Sequence, residues 1–219
     1  MASRFDAIIF DMDGVLIDSE PLHFEVLNEV LAADGQALSR AENEEFIGAT
    51  TETMWRTLIA RRGLLRSMDD YKARYDEILL RELLQPRDPA PGVLALVRRG
   101  RELGMRLGVA SSSRRIWIDA TLRSLDLSGA FDAIVSGDDV ARGKPDPQIY
   151  QLAAQYLRIV PPRCLAIEDS PNGVQSARGA GMVVLGVRTP YTAHLQLDGA
   201  ERIVDSLAEL DLTRDLLRA

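Results

Sequence analysis

Two aspartates one residue apart, Asp11 and Asp13, follow the apolar run Ala7-Ile8-Ile9-Phe10 and open onto Gly14. Such a run reads as a buried strand, and a charge at its end is costly unless something pairs with it. Other apolar runs end in the same way. Leu107–Ala110 leads to Ser111-Ser112-Ser113, Ala133–Val135 to a loop carrying Gly143-Lys144-Pro145, and Leu165–Ile167 to Glu168-Asp169-Ser170. If the runs are strands of one parallel sheet, these ends share an edge and the polar groups converge. Asp11, Asp13, Glu168 and Asp169 with one lysine and one hydroxyl repel each other without a cation. Closely placed oxygen ligands, with waters and a substrate phosphate, suit Mg²⁺.

That set suggests phosphoryl chemistry. A carboxylate beside a metal and a lysine can attack phosphorus and become an aspartyl-phosphate. Mg²⁺ and Lys144 would neutralise the transferring group, while Ser111 and Ser112 hold its oxygens through a hydroxyl and backbone N–H groups. A second carboxylate, aimed differently, can protonate the leaving oxygen and later activate water.

The elements that must position these groups are legible in the alternation of short apolar runs with helical patterns. Runs at Ala7–Phe10, Leu107–Ala110, Ala133–Val135, Leu165–Ile167 and Val183–Val187 read as about five core strands. The helical patterns Val93–Leu103, Ile116–Leu125, Gln148–Leu157 and Gly173–Gly179 lie between them. Continuous apolar strands separated by helices predict an α/β, Rossmann-like parallel sheet covered on both faces. The stretch from 19 to 86 breaks the alternation. Ser19-Glu20-Pro21 starts a helix whose apolar face (Leu22, Val26, Leu27, Val30, Leu31) stops at Gly35, and further helices follow over about 51–60 and 68–84. Pro86, Pro89, Pro91 and Gly92 then punctuate the return. The expected division is a core of 1–18 with 87–219 and an α-helical cap of 19–86. The cap would leave the core at the strand edge where parallel sheets bind ligands.

Asp11-x-Asp13-Gly14-x-x-x-Asp18-Ser19, Ser111, Gly143-Lys144-Pro145 and Glu168-Asp169-Ser170, in this order between about 8 and 181, resemble the haloacid dehalogenase (HAD) superfamily. The nearest branch holds β-phosphoglucomutases and phosphoglycolate phosphatases. The resemblance implies Asp11 as nucleophile and Asp13 as general acid/base that also offers the metal its backbone carbonyl. It implies Ser111 and Lys144 as phosphoryl-binding groups, Asp169 as a Mg²⁺ ligand, and Glu168 as a ligand or a support behind one. His23, on the first cap helix, would help control Asp13. Ser112 and Arg114 are candidate substrate contacts, and Arg115 is a weaker one, all balanced against ordinary helix-start roles. Asp13 favours phosphate-ester chemistry over dehalogenation, since a departing halide needs no proton.

The resemblance favours a phosphatase over a phosphosugar mutase: β-phosphoglucomutases grip the second phosphate with a basic residue in the cap loop, and the loop that resembles it here, Ile47-Gly48-Ala49-Thr50-Thr51-Glu52, carries none, though Lys72 or Arg74 could substitute. A non-catalytic module binding a phosphorylated metabolite is the alternative of another class. The expected partner is a small phosphorylated metabolite. A net charge of −7, spread along the chain, disfavours nucleic acid and anionic membranes. No apolar run is long enough to span a bilayer. The single cysteine, Cys164, reads as a small hydrophobe in a strand, and its solitude suits the cytoplasm. His194 reads as a surface residue, and Trp55 and Trp117 as packing residues.

Overall fold

The computed structural model describes residues 4–46 and 51–211. Two compact units divide the chain: 1–18 with 86–219, and Ser19–Gln85.

The first unit is built on a six-stranded parallel sheet of order β3-β2-β1-β4-β5-β6. Its strands are β1 (Ala7–Phe10), β2 (Arg106–Ala110), β3 (Ala133–Val135), β4 (Cys164–Glu168), β5 (Val183–Val187) and β6 (Arg202–Val204). Five strands match the apolar runs. The sixth, Arg-Ile-Val, escaped because three residues with one exposed and one half-exposed carry no apolar run.

Both faces of β1 are buried, and its alternating side chains enter two different cores. Ile8 and Phe10 pack with α5 (Val93–Glu102) and α6 (Arg115–Ser124). Ala7 and Ile9 pack with α7 (Gln148–Leu157) and α8 (Pro171–Gly179). Cys164 opens β4 fully buried, and burial pushes its thiol up to about 12, so it is an inert hydrophobe. His194 is exposed.

The second unit holds α1 (Glu20–Ala32), α2 (Arg40–Glu44), α3 (Thr51–Arg62) and α4 (Met68–Leu83). Its core joins Leu22, Val26, Leu27, Val30 and Leu31 of α1 to Tyr71, Tyr75, Ile78 and Leu79 of α4, with Trp55 stacked on Tyr71 at 5.1 Å. The short α2 buries nothing, so periodicity could not reveal it. Its signal is the Ser39…Glu42 capping box, in which each side chain satisfies the other's backbone N–H. Of the cap loop expected to lack a base, residues 47–50 lie outside the described residues. Among the described residues no helix is long and apolar enough to cross a membrane.

Candidate active site

β1 lies where the strand order reverses, between β2 and β4, and this switch point is where open α/β sheets bind ligands. The ladder continues one residue past each strand end. The Asp11 N–H donates to the Ile167 carbonyl (3.0 Å), and the Ser111 N–H donates to the Val135 carbonyl (3.1 Å). Phe10 pairs with both Val109 and Ile167, so Asp11 is level with Ala110 and Glu168. Asp11, Ser111, Glu168 and Asp169 thus leave adjacent strands at one edge, with the ~4.8 Å strand spacing between neighbours.

Lys144 reaches this edge from the loop before α7. Its side chain is 6% exposed and its Nζ lies 2.9 Å from Asp11 Oδ1 and 2.6 Å from Glu168 Oε1. The loop is braced on both sides. The Gln148 side chain accepts from the N–H groups of Ala141 and Arg142 (3.0 and 3.2 Å), and Ser176 Oγ donates to the Asp146 carbonyl (2.6 Å).

Asp11, Glu168 and Asp169 each place a carboxylate oxygen within 4.8 Å of the others, and all three residues are buried. One ammonium does not balance three carboxylates. Burial, and then the charge of Glu168, push Asp11 up to about 7 even though Lys144 pulls the other way. Burial and the charge of Asp11 hold Asp169 well above the usual carboxylate range. Burial pulls Lys144 down, but Asp11 and Glu168 more than reverse this and hold its ammonium above the ordinary lysine value. The two directions agree: the lysine faces two anions, while each aspartate faces more anion than cation. A hard divalent cation fits this donor set, because it supplies the missing positive charge to oxygen ligands already gathered.

Two glycines are required by this crowding. Gly14 has φ +74°, and a Cβ there would come within 2.0 Å of Asp169 Oδ2. At Gly173 a Cβ would come within 2.0 Å of both Glu168 oxygens. The D-x-D-G turn and the start of α8 therefore enclose the carboxylates by omitting side chains.

The remaining candidates divide. Asp13 is half-buried in the turn after β1, where Gly14 N–H donates to the Ile17 carbonyl (2.8 Å), and its Oδ2 accepts from Ser113 Oγ (2.8 Å). Ser111 is buried, and its Oγ accepts from the Ser113 N–H (3.1 Å). It does not cap α6, whose N-cap is Arg114. Ser112 is exposed, and its backbone approaches Gly137 so closely that a Cβ there would lie 2.3 Å from the Ser112 oxygen. Arg114 is exposed with its guanidinium over the Trp117 ring (6.0 Å), and Arg115 turns to Asp119 (2.9 Å). Ser170 caps α8 by accepting from the Gly173 N–H (3.1 Å) and also donates to Glu168 Oε2 (3.1 Å). His23 belongs to the second unit, where its Nδ1 meets Tyr75 Oη at 2.6 Å.

Sequence alone does not single out Ser113 and Tyr150. Ser113 stood in plain view as the third serine of its run. Tyr150, whose hydroxyl donates to Glu168 Oε1 (2.7 Å), sits on the buried face of α7 beside Ile149, Ala153 and Leu157. A tyrosine among aliphatics needs a partner for its hydroxyl, and that was the available signal.

Residues 5–181 match the model of the family described as haloacid dehalogenase-like hydrolase. The protein CbbY of Cereibacter sphaeroides is 36% identical over 94% of both chains. A phosphorylated carbohydrates phosphatase of Thermotoga maritima is 34% identical over 81% of this chain and 82% of its own. The crystal structure of a mutant CbbY from Rhodobacter sphaeroides in complex with xylulose-(1,5)bisphosphate superposes with a TM-score of 0.85 at 31% identity, covering 94% of this chain and 96% of that one. With a parallel sheet, a carboxylate pair after its first strand and a buried lysine at the same edge, the chain belongs to the haloacid dehalogenase-like hydrolases and is an enzyme of their phosphatase type.

Proposed function

We propose that this enzyme is a Mg²⁺-dependent phosphatase of small phosphorylated sugars, working through an aspartyl-phosphate on Asp11. The observation that carries the proposal is the buried Lys144 shared between Asp11 and Glu168 at the switch point. A lysine so placed lies beside the attacking carboxylate and can hold an oxygen of the incoming phosphoryl group. The substrate class follows from the relatives, which include a phosphatase of phosphorylated carbohydrates and a protein seen with a sugar bisphosphate.

Asp11 attacks phosphorus, while Lys144 and the donors of the Ser111–Ser113 loop hold the phosphoryl oxygens. Asp13 gives its proton to the leaving sugar oxygen and then takes one from the water that cleaves the acyl phosphate. Asp11, Asp169 and the Asp13 carbonyl would hold Mg²⁺, with Glu168 behind them. Bound there, the ion neutralises the carboxylates and the phosphoryl group. We assign substrate selection to the helical unit of residues 19–85, with His23 among its contributors.

The test is a panel of phosphorylated metabolites assayed for released phosphate with Mg²⁺. Sugar phosphates should be hydrolysed, EDTA should stop the reaction reversibly, and Ca²⁺ should inhibit because its looser coordination misplaces Asp11. Turnover that survives exhaustive chelation, or no release from any ester, would overturn the proposal.

A further inference from the structure

Lys144 projects from a loop on a long flexible stem, yet the proposed chemistry needs its ammonium fixed beside Asp11. Besides Asp11, what fixes it is Glu168, and Glu168 is itself held at both carboxylate oxygens. Its Oε1 accepts from Lys144 Nζ (2.6 Å) and from the Tyr150 hydroxyl (2.7 Å). Its Oε2 accepts from Ser170 Oγ (3.1 Å) and the Ser170 N–H (3.4 Å). The carboxylate lies against the backbone of Gly173, where any larger residue would collide with it. Tyr150 is fully buried, and its ring also lies 5.2 Å from Lys144 Nζ, within range of a cation–π attraction. One side chain therefore touches both the lysine and the carboxylate that holds it. A phenylalanine would fill the same space in the apolar face of α7 without the cost of burying a hydroxyl.

We infer that Tyr150 is a positioning residue for the phosphoryl-binding lysine: its hydroxyl orients Glu168, and Glu168 with the ring holds Lys144 beside Asp11. The phenol burial serves the site rather than the core. Glu168 then acts as the anchor of Lys144, its oxygens engaged by protein donors, and side-chain ligation of the metal falls to Asp11 and Asp169. The inference rests on the phosphatase assignment only for its kinetic readout.

The sequence provides an independent readout, because the chain has two lysines, Lys72 and Lys144. Protein labelled with ¹⁵N at lysine, in a Lys72→Arg background, reports the Lys144 ammonium alone by NMR. A buried, hydrogen-bonded ammonium exchanges slowly and gives a visible signal. Tyr150→Phe, which keeps ring and volume, should shift or broaden this signal while the fold persists. It should lower kcat by about 10- to 100-fold, the usual effect of losing a group that orients a site residue, and leave KM within about two-fold. In a Glu168→Gln background the same substitution should add little further loss, because both changes break one chain of contacts. Mg²⁺ affinity measured by calorimetry should stay within about three-fold in Tyr150→Phe, well short of the change expected on losing a ligand.

An unchanged Lys144 signal with unchanged kcat would overturn the inference, as would kinetic losses that add fully in the double variant. Should Tyr150→Phe fail to fold, Glu168→Gln must disturb the Lys144 signal, and if it does not the inference is wrong. If no ester is turned over by the wild-type enzyme, the phosphatase assignment fails while the NMR result still decides the role of Tyr150.

Discussion

The two units of the chain place their charges in opposite ways. The sheet unit buries Asp11, Glu168 and Asp169 around one ammonium, although the same volume filled with apolar groups would be more stable. Among the described residues the helical unit buries no charged residue, and its ion pairs, such as Arg81–Glu29 at 2.7 Å and Arg61–Glu45 at 2.6 Å, lie in solvent. Exposed pairs of this kind contribute little. The helical unit is held instead by apolar packing around Trp55 and by capping boxes at Ser39 and Ser67. Buried like charges cost stability that apolar packing would not, and such a cluster in a sheet-edge crevice is a candidate functional site.

That contrast can be broken most sharply at Asp11. Asp11→Asn should reduce turnover by at least about 10⁴-fold, as expected when a covalent nucleophile is lost. It should also raise the melting temperature of the metal-free protein, because it removes a charge from a crowded site. Near-normal turnover, or a fall in melting temperature, would undo the contrast. In the helical unit the largest effect should come from packing. Trp55→Ala should cost about 3–5 kcal/mol. Hydrogen exchange should then quicken across α1, α3 and α4 and stay slow in β1 and β4.

Proton linkage gives a subtler distinction. The folded Asp11 value of about 7 lies above the ordinary 3.8, so between these values the folded protein holds more protons than the unfolded chain. Its stabilising contribution is complete below about pH 4 and is lost as pH rises through about 7. Metal-free protein should therefore lose on the order of a few kcal/mol of stability over that range, with Mg²⁺ restoring it and Asp11→Asn flattening it. Urea unfolding in EDTA at several pH values measures this. The smallest effect belongs to the exposed ion pairs, where Arg81→Ala should leave the melting temperature unchanged within error.

Sequence and structure agree wherever apolar patterning controlled the outcome. Four continuous hydrophobic residues before Asp11 announce a strand buried on both faces, and α7 runs over the span its periodicity predicts. β6 and α2 were not legible because neither carries a buried face long enough to show a period. At the site the carboxylates and Ser111 stand out as polar residues directly after apolar runs, and Lys144 through the place of Gly143-Lys144-Pro145 in the motif order. Tyr150 does not, since on a helix face it passes for core, and only the position of its hydroxyl in space distinguishes it. The clearances at Gly14 and Gly173 were equally hidden, because sequence shows a glycine and not what approaches it.

The most direct test of the account is to capture the covalent intermediate. Enzyme mixed rapidly with Mg²⁺ and a hydrolysed sugar phosphate, quenched in acid and treated with borohydride, should carry homoserine at position 11, because an aspartyl-phosphate is reduced to that alcohol. Asp11→Asn should carry none. Homoserine at another aspartate, or phosphate released in a rapid first turnover with position 11 unmodified, would contradict the account.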